Sequence, residues 1–184
     1  MNPVLPSGPL ERARLISVRV EDRGHALLRV ANCLARRGFR LESCAVAHSP
    51  EPGVLSLTLR VDPGGQAAEQ VVRQLAKLVD LVSVEDLTGR RPLEWTSALV
   101  EMEVPASAGE LEEVLHRHRA QVLRRSGGRV VAALSGPPAA VEQALVDLGR
   151  LRLRDWVCSG ALALAPEPDP APEGATCVQG EEAR

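Results

Sequence analysis

Residues 14–28, R-L-I-S-V-R-V-E-D-R-G-H-A-L-L, contain the strand-to-helix transition from which the fold can be predicted. Residues 14–20 are rich in β-branched side chains and largely alternate apolar with polar, which predicts a strand. Gly38 is a C-terminal stop signal for a helix predicted over 25–37. The apolar side chains of that helix share one face at helical spacing: Leu27, Leu28, Val30, Ala31 and Leu34.

The residues that follow continue the alternation of strands and helices. Residues 40–47 and 54–61 predict two strands joined by S-P-E-P-G, which is a strong turn signal. Residues 66–79 predict a second amphipathic helix, and residues 81–87 predict a fourth strand. The resulting order, βαββαβ, is that of a ferredoxin-like domain.

A second unit of the same order is predicted downstream, without obvious sequence identity to the first. Its strands are predicted at 96–104, 121–124, 129–134 and 154–164, the last interrupted at Ser159-Gly160, and its helices at 109–117 and 139–149. The predicted fold class is therefore α+β, with two ferredoxin-like βαββαβ units. The predicted boundaries are a disordered N-terminus at 1–11, a first domain at 12–88, a linker at 89–94, a smaller second domain at 95–164 and a disordered, Pro-rich acidic tail at 165–184.

The composition excludes several functional classes. With 22 Lys+Arg against 24 Asp+Glu, the net charge of −2 argues against nucleic-acid binding, which requires a basic surface. No apolar run approaches the roughly 20 residues that span a bilayer, so we expect no membrane insertion. The four cysteines are scattered and include no C-x-x-C pair, which indicates reduced thiols in a cytoplasmic protein.

The sequence contains no pattern typical of an active site or a metal site. His116 and His118 are two positions apart on a predicted helix, so they face apart and do not share a metal. A solvated basic helix end is the better interpretation of these two histidines. The chain contains neither G-x-S-x-G nor G-x-x-x-x-G-K-[ST]. We therefore expect no catalytic, metal-binding or cofactor-binding residues in this chain.

The loop between the first strand and the first helix is the candidate binding site. Glu21 and Asp22 lie near the start of the helix, where backbone N–H groups and the positive end of the helix dipole favour a small carboxylate. The alternative is simple N-capping by Asp22, with Arg23, Gly24 and His25 completing the turn. Composition and spacing alone favour N-capping.

Three segments follow one another at ungapped-looking distances and carry a family resemblance. They are I-S-V-R-V-E-D-R-G-H-A-L-L-R-V at 16–30, R-R-G-F-R-L-E-S-C-A-V at 36–46 and Q-L-A-K-L-V-D-L-V-S-V-E-D-L-T at 74–88. Together they resemble the small, regulatory subunit of acetolactate synthase (acetohydroxyacid synthase). The third segment is the strongest match, and looser similarity extends the resemblance to about residues 14–163.

This resemblance implies an N-terminal ACT domain that pairs with a second copy, followed by a smaller ferredoxin-like domain. It implies a non-catalytic subunit that binds and activates the large catalytic subunit of acetolactate synthase in branched-chain amino acid biosynthesis. That partner is expected to use thiamine diphosphate, Mg and FAD. The small subunit is expected to convey feedback inhibition by valine or a related amino acid. The effector would lie between the first strand–helix loop of one ACT domain and the second strand of the other.

The expected effector-binding loop departs from the family pattern, which is roughly E-N-x-P-G-x-L-x-R. In an alignment through Leu27 and Arg29, Asp22 takes the Asn position, Gly24 the Pro position and His25 the Gly position. An ionised Asp22 can only accept hydrogen bonds and would repel the carboxylate of an amino acid. His25 adds a bulky side chain where the backbone must approach the ligand closely. A one-residue slip that returns Gly24 to the glycine position is the alternative alignment.

The second half of the expected effector site departs as well, because the family's N-I-E-S is Arg40-Leu41-Glu42-Ser43 here. Arg40 either attracts the effector carboxylate or forms an ion pair with Asp22 across the dimer. We therefore expect valine binding to be lost or altered. The alternative function is a stand-alone ACT-type amino-acid sensor that is not bound to acetolactate synthase.

Overall fold

The computed structural model describes residues 13–64, 67, 69–104 and 108–165. The chain forms two compact units, of which the first ends at Leu93 and the second runs from Glu94 to Gly160. The segments predicted to be disordered, 1–11 and 165–184, lie outside the described residues except for Ala165. In the described part of the chain, no helix combines the length and the apolar character needed to cross a bilayer.

The described residues of the first unit form strands and helices in the predicted βαββαβ order. The elements are β1 (Arg14–Glu21), α1 (Ala26–Arg36), β2 (Arg40–His48), β3 (Val54–Asp62), α2 (Glu69–Leu75) and β4 (Leu81–Asp86). The four strands make one antiparallel sheet in the order β2-β3-β1-β4. This order is that of a ferredoxin-like sheet, with β1 paired on both sides and β2 at an edge.

The core of the first unit lies between this sheet and its two helices. Ile16 and Val18 of β1 are fully buried, and Leu34 of α1 is only 1% exposed. Burial of each such side chain stabilises the fold by about 1.5–3 kcal/mol relative to exposure. The predicted face of α1 is partly wrong, because Leu27 and Leu28 are 43% and 55% exposed. The buried stripe of α1 is instead Ala26, Val30 and Leu34, at i, i+4 and i+8.

The helix α2 is shorter than the predicted range of 66–79, of which residues 66 and 68 are outside the described residues. After Leu75 the chain tightens, since the Lys77 N–H donates to the Gln74 carbonyl at 3.2 Å and the Leu78 N–H to the Leu75 carbonyl at 3.0 Å. This turn packs Leu78 against the core and leaves Val79 97% exposed. The apolar spacing in L-A-K-L is thus satisfied by a tight turn rather than by a longer helix.

The second unit has the same topology, as the sequence predicts. Its elements, with the short strand that follows it, are β5 (Leu93–Glu103), α3 (Ala108–Arg117), β6 (Gln121–Ser126), β7 (Arg129–Gly136), α4 (Pro138–Gly149), β8 (Leu153–Cys158) and β9 (Leu162–Leu164). The sheet order is β6-β7-β5-β8, and β9 also pairs with β5. β5 begins at Leu93, three residues before the predicted strand start, so Leu93 and Glu94 of the predicted linker are extended.

The predicted interruption of the last strand is confirmed. Gly160 has a φ of 76°, a conformation that favours glycine, and it separates β8 from β9. The Ser159 N–H still donates to the Ser97 carbonyl at 2.9 Å, and the Thr96 hydroxyl donates to the Gly160 carbonyl at 3.0 Å. The bend is therefore held by hydrogen bonds to β5.

Leu75→Ala is expected to destabilise the chain by about 2–5 kcal/mol, because the loss of this fully buried side chain leaves a cavity. Val79→Ala lies four residues away and is the matched control, since its side chain is 97% exposed and the expected change is within about 0.5 kcal/mol. Urea denaturation followed by circular dichroism checks both. Similar midpoints for the two variants would contradict the shortened helix and its packing.

Candidate functional site

The loop between β1 and α1 is anchored by backbone hydrogen bonds on both sides. The Glu21 N–H donates to the Asp80 carbonyl at 2.9 Å, and the Asp22 N–H donates to the Gly53 carbonyl at 2.7 Å. Gly53 lies in the turn before β3 and Asp80 lies just before β4. The neighbouring strands on each side of β1 therefore fix where the loop leaves the sheet.

His25 is the N-cap residue of α1, and it has a left-handed backbone with φ 70° and ψ 10°. No side chain caps the helix, so the interpretation in which Asp22 caps it is wrong. The physical reason is that the chain makes a further turn through Gly24 and His25 before the helix starts at Ala26. The capping carboxylate would have to be at position 25 to reach the first helical N–H groups.

This backbone geometry bears on the two alignments of the loop. Only glycine adopts a φ near 70° without strain, and histidine does so at a cost. Gly24, in contrast, is not among the described residues with positive φ. The position suited to glycine is therefore occupied by His25, which supports the ungapped alignment over the one-residue slip.

Arg29 ties the loop to α1, a role that the sequence analysis missed. Its guanidinium donates from Nη2 to the Arg23 carbonyl at 3.0 Å and from Nη1 to the Gly24 carbonyl at 3.4 Å. It also forms an ion pair with Asp80, whose side chain is only 13% exposed. The sequence signal for this role of Arg29 was the L-x-R spacing of the loop motif, which places Arg29 four residues after the N-cap residue His25.

The other candidate residues, Arg40 and Leu41, lie at the opposite end of the sheet. Glu21 pairs with Val54 and Arg40 pairs with Asp62, and these two partners are the first and last residues of β3. Eight strand residues separate them, which corresponds to about 26 Å. Asp22, Gly24 and His25 are therefore brought together by the fold, whereas Arg40 and Leu41 of the same chain are not near them.

Arg40 has acidic neighbours of its own at that end. Its Nη2 lies 3.1 Å from a carboxylate oxygen of Glu42 and 3.6 Å from one of Asp62. The Arg40 side chain is 73% exposed, so each of these ion pairs is weak. The guanidinium keeps the freedom to bind a further carboxylate.

The strand that carries Arg40 presents an incompletely covered surface. None of the residues of β2 is fully buried, although Leu41 and Val46 are large and apolar. Leu28 of α1, 55% exposed, is a further large apolar side chain on the exposed surface of the first unit. Since β2 has β3 on one side only, its other edge offers unpaired backbone groups.

The histidines of the second unit differ from their predicted setting. His118 lies just past the end of α3 rather than on it, and its Nε2 is 2.9 Å from Asp147 Oδ2. Its side chain is only 14% exposed, so the interpretation of a solvated basic helix end is wrong for His118. The hydrogen bond from His118 lowers the pKa of the Asp147 carboxyl below its usual value. Among the described residues, no three His, Cys, Asp or Glu side chains are grouped to hold a metal ion.

The described cysteines are not activated. Burial raises the pKa of the thiols of Cys33, Cys44 and Cys158 above the ordinary value. For Cys33 the nearby charges of Arg37 and Lys77 act in the opposite direction and only partly offset burial. A raised pKa leaves little thiolate at neutral pH, and the thiolate is the nucleophile.

Comparison with known proteins identifies the first unit. Residues 16–83 match the model of the AHAS small subunit-like ACT domain. The first unit is therefore an ACT domain, and the loop at Asp22–His25 lies within the matched region.

Comparison over the whole chain identifies the family. The acetolactate synthase small subunit of Mycobacterium leprae is 30% identical over 154 residues, covering 83% of this chain and 91% of that protein. The small subunit of Bacillus subtilis is 28% identical, covering 83% and 90%. The crystal structure of the Thermotoga maritima small subunit has the same fold, with a TM-score of 0.76, 24% identity, and coverage of 86% of this chain and 99% of that one. This chain belongs to the acetolactate synthase small subunit family.

Replacement of His25 by glycine is expected to stabilise the chain by about 1 kcal/mol, because a side chain in the left-handed region strains the backbone and glycine does not. The measurement is the urea midpoint followed by circular dichroism. His25→Ala is the matched control, because it removes the imidazole and keeps a Cβ, and we expect no gain from it. Equal stabilisation by both variants would place the strain in the imidazole instead of the backbone.

Acid is expected to weaken the second unit through Asp147. The depressed pKa means that the pairing with His118 stabilises the fold above the unfolded carboxyl's pKa of about 4, and is lost as the pH falls through the lower folded value. The gap in urea midpoint between the unsubstituted chain and D147N should therefore shrink in strong acid. Tryptophan fluorescence reports this unit, since Trp95 and Trp156 both lie in it. A gap that does not change with pH would contradict the prediction.

Proposed function

We propose that this chain is a non-catalytic regulatory subunit that binds the large catalytic subunit of acetolactate synthase and raises its activity in branched-chain amino acid biosynthesis. The observation that carries this proposal is the extent of the match to small subunits, which spans both ferredoxin-like units. A match confined to residues 16–83 would indicate only an ACT domain, which could belong to many different proteins. A match over both units indicates the same two-unit subunit.

Activation then acts through differential affinity. A subunit without catalytic groups raises its partner's activity only by binding the partner's active state more tightly than its inactive state. In this proposal thiamine diphosphate, Mg and FAD are bound by the large subunit. Candidate contact surfaces on this chain are the second unit and the segment 74–88.

We propose further that two copies pair through their ACT domains. The separation of about 26 Å between the ends of β3 means that one copy alone does not unite Asp22 with Arg40. Antiparallel pairing of β2 with β2 of a second copy reverses that relation, because it brings Arg40 of the second copy to the end of the sheet where β2 ends at His48. That end also holds Asp22. The exposed edge and the apolar Leu41 and Val46 support this pairing.

In the paired arrangement the effector site is altered relative to the family. An ionised Asp22 faces the position of the effector carboxylate, and Arg40 of the second copy supplies the opposite charge nearby. These two charges satisfy each other across the dimer and compete with a zwitterionic amino acid. The His25 side chain adds bulk at the same loop. We therefore propose that activation is kept and that valine inhibition is lost or weakened.

The test is acetolactate formation by the cognate large subunit, with and without this chain, over a valine titration. We expect activation and little inhibition by valine. The variant D22N/H25G/R40N, which places the family's residues at these three positions, is expected to strengthen valine inhibition by at least about tenfold, equivalent to about 1.4 kcal/mol. E69Q/R73Q, at exposed positions of α2, is the charge-matched control and should not change the valine response.

The outcomes separate the parts of the proposal. Strong valine inhibition of the unsubstituted pair would overturn the altered effector site and leave activation standing. Failure to activate a large subunit that co-purifies with the chain would overturn the activating role. Neither activation nor co-purification would favour a stand-alone amino-acid sensor.

A further inference from the structure

A groove lies between α1 and the segment that follows α2, and of its lining residues Arg29 also bonds to the carbonyls of the β1–α1 loop. Its volume is about 380 Å³. It opens on the helix-covered side of the first unit, away from the β2 edge at which we propose pairing. The residues that shape it include Arg29, Cys33, Arg36, Arg37, Lys77 and Leu78.

The groove is strongly cationic at its rim and apolar at its floor. Three arginines and one lysine line it, and no carboxylate does so among the described residues. Of these cations, Arg29 is paired with Asp80, whereas Arg36 and Lys77 are exposed to solvent. The floor includes Leu78 and the Cys33 thiol, which bonds to the Gln74 carbonyl at 3.4 Å. Such a surface suits an extended acidic segment with small apolar residues.

The chain itself contains a segment of that chemistry. Residues 166–184, P-E-P-D-P-A-P-E-G-A-T-C-V-Q-G-E-E-A-R, carry five acidic side chains against one basic one. The acids in the first part of the segment are spaced by proline and alanine. A chain of this length can span at most roughly 65 Å, which exceeds the dimensions of a small domain.

We propose that the acidic segment 166–184 docks in the cationic groove between α1 and α2 of the ACT domain. A second copy of the groove is a poor occupant, because two surfaces of the same positive sign repel each other. An attached segment is favoured over a separate acidic molecule, since its effective concentration is of order millimolar. Several weak, exposed ion pairs then suffice for occupancy.

Cys33 at the groove floor is the reporter for this contact. In a chain in which Cys44, Cys158 and Cys177 are serine, N-ethylmaleimide labels Cys33 alone. The reagent is neutral, so the charges of the groove do not change its local concentration. Labelling rates measured over a range of pH distinguish physical shielding of the thiol from a change in its thiolate fraction. We expect removal of residues 166–184 to raise the labelling rate about fivefold at low salt. The difference should vanish near 1 M salt, where screening acts within about 3 Å.

Two variants test the role of charge. E167Q/D169N/E173Q/E181Q/E182Q keeps the length and side-chain sizes of the segment and removes its negative charges, so it should label as fast as the truncated chain. Reversal of the groove with R36E/R37E/K77E should also abolish the shielding. Changing the five acids of the segment to lysine in that reversed background should restore the slow rate.

Equal labelling of the full and truncated chains at low salt would overturn the proposal. The proposal would also be overturned if labelling is slow only when the large subunit is present and stays slow after residues 166–184 are removed. That result would show that the large subunit covers the groove. A slow rate that survives neutralisation of the five acids would show that charge does not hold the segment. None of these outcomes depends on whether the chain activates acetolactate synthase.

Discussion

The pairing of β1 on both sides is the constraint on which the first unit depends. β1 pairs with β3 over its whole length, from Arg14 to Glu21, and with β4 from Ile16 to Val20. Its inward-facing residues Ile16, Val18 and Val20 are at most 2% exposed. Since the strand cannot shift by one residue without turning Ile16, Val18 and Val20 outward, the position where it ends is fixed.

The same pairing sets the shape of the loop between β1 and α1. The Glu21 and Asp22 N–H groups are bound to carbonyls that belong to the flanking chain segments, so the loop leaves the sheet from a rigid base. Arg29 then bonds back to the loop carbonyls from one turn inside α1. Between these fixed points the chain must reverse direction tightly at residues 24 and 25, and one of these two residues must adopt a left-handed backbone conformation. Glycine is the natural solution, and here the chain uses His25 instead.

The element order was predictable because strand and helix periodicities differ sharply and Gly38 marks the end of α1. Gly38 has a φ of 73°, and the Phe39 N–H donates to the Leu34 carbonyl at 3.1 Å, a geometry typical of a glycine-terminated helix. Periodicity failed where two physical solutions share one spacing. The spacing of Leu75 and Leu78 fits a helix and a tight turn equally well, and the chain forms the turn. Leu27 and Leu28 also have helical spacing, but the side of α1 that packs against the core carries Ala26, Val30 and Leu34.

The candidate site was predictable only in part, for a similar reason. Local sequence places Asp22, Gly24 and His25 in one loop, but the distance of Arg40 from that loop is a property of the sheet register. The pairing of His118 with Asp147 is also long-range, since 29 residues separate them. Neither relation leaves a signal in sequence spacing, whereas the L-x-R motif did leave one for Arg29.

The two functional surfaces proposed for the ACT domain lie on different elements, and this separation explains how they can diverge. The effector site depends on the β1–α1 loop and the β2 edge, while the cationic groove depends on the opposite side of α1 and the turn after α2. Substitutions at Asp22 and Arg40 change charge at the first surface and replace no residue that lines the groove, and Arg29 is the residue that contributes to both surfaces. An ACT domain built in this way can lose its amino-acid response while the packing of α1 against α2, and any contact made there, is kept.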